Sequence, residues 1–141
     1  MTVIGPVTVT LWAKSSARDT DFTVKLVDVQ PGGFAYNVLD RVVRTRFRNG
    51  SKASPSMAEP NTPYEYNLEL GYTATVFKAG HRLRLDISSS KFPQLARNPN
   101  TGTDAATESR LQTAVQTVSH DADHASRVEL SVLPSAKSTG R

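Results

Sequence analysis

The 141-residue sequence predicts an antiparallel β-sandwich, and three features predict it. Apolar and polar residues alternate with period two over seven or eight short stretches, the pattern of strands with one face buried. Gly, Pro and Asn separate these stretches as turn chemistry requires. A helical pattern is confined to one short segment, 104–112, which is too little to cover a sheet with helices.

The elements follow in chain order. In GPVTVTLWA (5–13), Val7, Val9 and Leu11 point one way and Thr8, Thr10 and Trp12 the other. DFTVKLVDV (21–29) sets Phe22, Val24 and Leu26 against Thr23 and Lys25, and QPGG at 30–33 supplies a turn. FAYNVL and RVVRTRF (34–39 and 41–47) read as one long strand or two linked ones. The polar segment 49–63, with Pro55, Pro60 and Pro63, is a loop; Asn49-Gly50 reads as a turn pair rather than a glycosylation acceptor. YEYNLEL (64–70) puts Tyr64, Tyr66, Leu68 and Leu70 on one face. After a tight turn at Ala79-Gly80, Leu83, Leu85 and Ile87 alternate with Arg82, Arg84 and Asp86. TAVQTVSH (113–120) and SRVELSVLP (126–134) complete the set, with Val128, Leu130 and Val132 sharing a face. The expectation is one sandwich domain over 1–134 and a disordered tail over 135–141.

Composition narrows the functional classes. Hydrophobic residues at 38% and charged residues at 21% fit a globular chain. No apolar run approaches the roughly 20 residues that span a bilayer, so no membrane partner is expected. MTVIGPVTVT lacks the pattern of a signal peptide, which favours the cytoplasm. The absence of cysteine excludes disulfides, thiolate catalysis and cysteine-based zinc sites within the chain. A net charge of +4 raises nucleic acid as a partner, with Arg44, Arg46 and Arg48 on one face of a strand. No aromatic residue interleaves with them on that face. Arginines that meet carboxylates are the favoured reading, and no nucleic acid is expected.

Candidate chemistry is sparse. His81, His120 and His124 are the only groups whose ordinary titration makes them bases near neutrality. A triad of Ser89, His120 and Asp121 can be drawn, but no G-x-S-x-G elbow accompanies it. HDADH offers His120, Asp121, Asp123 and His124 as ligands for a divalent ion, although a polar turn explains the same residues. Asp19, Asp21 and Asp28 can be weighed for calcium, without the loop or the bidentate glutamate that would support it; Asp19 reads as turn support. No metal and no cofactor are expected. Trp12, opposite the apolar face of its strand, is the candidate platform for a carbohydrate or other ligand if the sandwich is a free-standing binding module.

The most unusual stretch runs from 88 to 102. Ser88, Ser89 and Ser90 end a strand, and Phe92-Pro93 fixes the chain direction. Arg97, Asn98, Asn100 and Gly102 follow; the asparagines can satisfy loop backbone, and Gly102 suits a positive φ. Residue chemistry favours a rigid polar plug over a ligand site.

This stretch carries a resemblance. GHRLRLDISSSKFPQLARNPNTG (80–102) resembles the C-terminal domain of the cocaine-esterase/Xaa-Pro dipeptidyl-peptidase family of serine hydrolases. GPVTVTLWAKSSARDTDFTVKLVDVQPGG (5–33) resembles the opening of that domain, and LQTAVQTVSHDADHASRVELSVLP (111–134) its end. The resemblance implies a jelly-roll sandwich, galactose-binding-domain-like, at the end of a larger enzyme. It also implies partners: an α/β-hydrolase domain carrying a Ser-Asp-His triad, and a helical cap, both N-terminal to this region. In that family the domain packs on both, helps wall the substrate entrance and in some members supports a homodimer. No triad position falls in this chain, so the implied role is structural and at an interface for Ser88, Ser89, Ser90, Phe92, Pro93, Arg97, Asn98, Asn100 and Gly102. Three positions depart from the family's pattern: Ala96 replaces a usual aspartate, QPGG replaces a Pro-Asp-Gly turn, and Ser119 stands where tyrosine is common.

Overall fold

In the computed structural model, which describes residues 1–50 and 52–134, two antiparallel sheets pack face to face as a sandwich. The expected tail at 135–141 lies outside the described residues. Among the described residues seven strands build it: β1 (Thr2–Ser15), β2 (Asp21–Val29), β3 (Ala35–Arg44), β4 (Tyr64–Val76), β5 (Arg82–Ser88), β6 (Gln116–Ser119) and β7 (Arg127–Val132). β4 runs along one edge of β1, while β7 and β6 share its other edge, pairing with Val3–Thr10 and Trp12–Ser15. The second sheet has the order β3-β2-β5. The chain therefore crosses between sheets after β1, β3, β4 and β5.

The alternating patterns place the core. Val7, Val9 and Leu11 of β1 face Phe22, Val24 and Leu26 of β2, all nearly inaccessible, with Tyr66, Leu68 and Leu70 from β4. Leu83, Leu85 and Ile87 of β5, with Val128 and Leu130 of β7, pack around this centre and stay half-buried. The QPGG turn closes with Gly33 N–H donating to the Gln30 carbonyl at 2.9 Å. β3 is one continuous strand.

Two expectations need correction. Residues 104–112 form a single turn rather than a helix. The Asp104 carbonyl accepts from Thr107 and Glu108 N–H at 3.2 and 3.0 Å, and its carboxylate accepts from Ala106 N–H. Leu111 is 61% exposed, so the segment buries no apolar face that would offset helix nucleation. Nor do Arg44, Arg46 and Arg48 share a strand face. β3 ends at Arg44, and Thr45–Phe47 form a 3-10 turn. Fully buried Thr45 drives that break: its N–H donates to the Thr20 carbonyl at 2.8 Å, and its hydroxyl meets the Tyr66 hydroxyl at 3.2 Å.

β2 is buried on both faces, not one. Thr23, on its outer side, is 1% exposed and holds the Ser88 hydroxyl at 2.6 Å. One glycine is demanded by space as well as conformation. Gly5 has φ +131°, and a Cβ there would lie 3.0 Å from the Ser131 Cβ. Gly5→Ala is expected to lower stability by about 1–3 kcal/mol. Gly32→Ala, where an added Cβ meets nothing within 4 Å, should change little. Urea midpoints of the two variants check the contrast.

Candidate functional site

The densest polar cluster lies where β1 turns into β2 and β3 ends. Register sets Asp21, the first residue of β2, opposite Arg44, the last of β3. The same antiparallel register, continued past the strand ends, brings Asp19 to Arg46. Arg44 grips the Asp21 carboxylate with two donors, Nε at 2.8 Å and Nη2 at 3.0 Å. Arg46 donates its backbone N–H and its Nε to Asp19 at 2.9 and 2.8 Å. The Asp19 side chain is fully buried and that of Asp21 nearly so.

The 88–102 stretch enters this cluster through Asn98. Its Nδ2 donates to both carboxylates, to Asp19 at 3.0 Å and Asp21 at 2.8 Å, while its Oδ1 accepts from Asn100 N–H at 2.9 Å. Asn100, at φ +63°, donates from Nδ2 to the Gln112 carbonyl at 2.8 Å, and Gln112 N–H returns to the Pro99 carbonyl. Arg46 Nη2 donates to the Thr103 carbonyl at 2.9 Å. Gly102, at φ +83°, lies against Met57 of the 52–63 loop, which is itself tied down by Ser56 N–H on the Arg46 carbonyl and Ala58 N–H on the Arg18 carbonyl.

All four carboxylate oxygens thus accept at least one hydrogen bond, and two guanidiniums balance two carboxylates. Hydrogen bonding to Asp21 raises the Arg44 guanidinium above its already high ordinary value, against the opposing effect of burial. Both aspartates are thus engaged in ion pairs and hydrogen bonds within the fold. The cluster closes a loop onto a sandwich.

The remaining singled-out residues sit around it. Ser88 bonds Thr23 and the Ser90 carbonyl, and the Ser90 hydroxyl accepts from Phe92 N–H. The Phe92–Pro93 peptide is cis, and the exposed Arg97 stacks over the Phe92 ring at 5.3 Å. Lys91 pairs with Asp40 on β3. Ser89 follows β5 of the three-stranded sheet, whereas His120 and Asp121 follow β6 of the other sheet, and no hydrogen bond joins Ser89 to His120 among the described residues. In HDADH, Asp121 Oδ1 accepts from Asp123 and His124 N–H, as a turn does. Among the described residues no three His, Asp or Glu side chains converge to hold an ion. Asp28 lies at the far end of β2 and meets His81 Nδ1 at 2.9 Å. Trp12 is half-buried, and its ring meets that of His124 in a T-shaped contact with centroids 4.9 Å apart.

Sequence reasoning missed Asp19 and Asp21 as the centre. The available signal was spacing: D-x-D before one strand and R-x-R at the end of its hairpin partner meet pairwise in an antiparallel ladder. Arg48, the third arginine, lies over the Tyr64 ring at 4.3 Å.

Sandwich and clamp together define an all-β domain whose main polar cluster fastens a loop to one end of the two sheets. The family described as the X-Pro dipeptidyl-peptidase C-terminal non-catalytic domain matches residues 1–129, and the chain belongs to that family. Cocaine esterase from Rhodococcus sp. (strain MB1 Bresler) is 40% identical over 133 residues, covering 93% of this chain and 23% of the esterase. Among solved structures, an α-amino acid ester hydrolase superposes with a TM-score of 0.87 at 29% identity, covering 92% of this chain and 23% of its own. An aminopeptidase from the marine sediment archaeon Thaumarchaeota archaeon gives a TM-score of 0.85 at 26% identity, covering 94% and 24%. The chain thus spans about a quarter of the length of these proteins.

Two predictions follow from the geometry. Asn98→Ala should lower stability by about 2–3 kcal/mol, because two buried carboxylates lose a donor, and Asn100→Ala by about 1 kcal/mol. Equal denaturant midpoints for wild type and Asn98→Ala would contradict this. The Lys91 ammonium beside Asp40 holds its carboxyl below the ordinary value of 3.8, against burial, with Asn37 adding a donor. Since the folded value is the lower one, this contribution is present above 3.8 and is lost as pH falls through the depressed value. In Lys91→Met, an NMR titration should find Asp40 moved back up, and acid unfolding should begin at higher pH.

Proposed function

We propose that this chain serves as the accessory domain of a larger α/β-hydrolase-type serine hydrolase acting on ester or peptide bonds. The observation that carries this reading is the proportion: the chain matches nearly whole, yet aligns with only 23–24% of proteins named as an esterase, an ester hydrolase and an aminopeptidase. The catalytic serine and its partners would belong to the other part of such an enzyme. The accessory domain packs on that part and on its helical cap, steadies the substrate entrance and supports association of two copies. The rigid, hydrogen-bonded end of the sandwich suits such a role, since a docking surface gains from being ordered before it docks.

The test is the mass of the native polypeptide in its source cells, with peptide mapping upstream of Gly5. A species several times heavier than 15.3 kDa, labelled by a serine-directed fluorophosphonate at a serine outside this chain, is the expected result. A native species of 15.3 kDa without such a serine would overturn the reading. The 141-residue chain by itself should not turn over p-nitrophenyl esters or aminoacyl esters above the buffer rate.

A further inference from the structure

The loop fastened by Asn98 is polar on its anchored side and apolar on its outward side. Phe92 and Leu95 are 63% and 39% exposed, and Phe47, in the adjoining 3-10 turn, is 41% exposed. Val42, Phe47, Leu95 and Ala96 line an open hollow of about 330 Å³, bounded on its polar side by the Asp21–Arg44 pair. The Ala96 methyl group leaves that part of the hollow wall apolar.

Large apolar side chains gathered on one surface mark an interaction site. Here the loop is also held at both ends, by Lys91 on Asp40 and by Asn98 on Asp19 and Asp21. Little further ordering is needed when a partner arrives.

We propose that this face, centred on Phe47 and Leu95 with Phe92 exposed on the same loop, is the surface on which the catalytic portion of a longer polypeptide docks; the proposal rests on the accessory-domain reading above. The relatives' proportions supply the occupant. About three quarters of each relative lies outside the matched region, a folded mass joined covalently to this sandwich and so present at high effective concentration. Its contacting surface has a defined chemistry: apolar side chains that fill the hollow, and a carboxylate that meets exposed Arg97 at the rim. A second exposed set, Ile4, Tyr72 and Val76 at 49, 78 and 58%, lies on strands of the other sheet and serves as the control face.

Hydrogen exchange read by mass spectrometry tests this, comparing the native polypeptide with the 141-residue chain at matched concentrations. Amides of Phe92 and residues 94–97 should exchange roughly tenfold more slowly in the native polypeptide. Leu95→Arg should abolish that difference while moving the unfolding temperature of the 141-residue chain by less than about 2 °C. Equal rates in both forms, or slowing at Ile4 and Tyr72–Val76 alone, would overturn the docking face and leave the accessory reading standing. Slowing in the 141-residue chain that grows with its concentration would assign the face to a second copy and overturn the proposal. A native mass of 15.3 kDa would overturn both together, which separates that failure from the others.

Discussion

Two carboxylates taken out of water govern the architecture at one end of this sandwich. Burying an ionised aspartate costs several kcal/mol unless donors replace its hydration. Asp19 and Asp21 meet that requirement with two arginines, one backbone N–H and one asparagine, drawn from two separate parts of the chain, 44–46 and the loop after β5. β3 ends at Arg44, the backbone tightens into a 3-10 turn that brings Arg46 back towards Asp19, and the loop after β5 folds over to deliver Asn98.

The core and the clamp have separate tasks. Alternating aliphatic residues of β1, β2 and β4 bring the two sheets together, a non-directional drive that fixes which faces touch. Directional polar bonds at one end then decide the path of a segment that forms no regular structure. The core thus holds the two sheets together, and the clamp holds the 88–102 stretch to one end of them. The clamped loop carries Phe92, Leu95 and Arg97 outward, all three exposed.

Much of this was legible in the sequence. The strands and their inward faces could be read from period-two alternation, because burial on one side of a sheet imposes that pattern directly. The resemblance in residues 80–102 pointed to the family that the comparison with known proteins establishes. The clamp was harder to see. Asp19 looked like ordinary turn chemistry, and Arg44, Arg46 and Arg48 like one basic strand face. Neither reading includes the buried hydroxyl of Thr45, which takes the backbone out of the strand and sends the three arginines to three different acceptors. The single turn at 104–107 was hidden for a related reason: local propensity suggested a helix, but no apolar face there becomes buried.

The claim that the buried aspartates and the loop form one energetic unit is tested most directly by a double-mutant cycle between Asp19 and Asn98. Stabilities of Asp19→Ala, Asn98→Ala and the double variant would be measured by urea unfolding alongside wild type. A shared network predicts that the second substitution costs much less once the first is made, with a coupling energy of about 1–3 kcal/mol. Additivity to within about 0.5 kcal/mol would mean that loop and carboxylates are held independently, and that the clamp is not what places the loop.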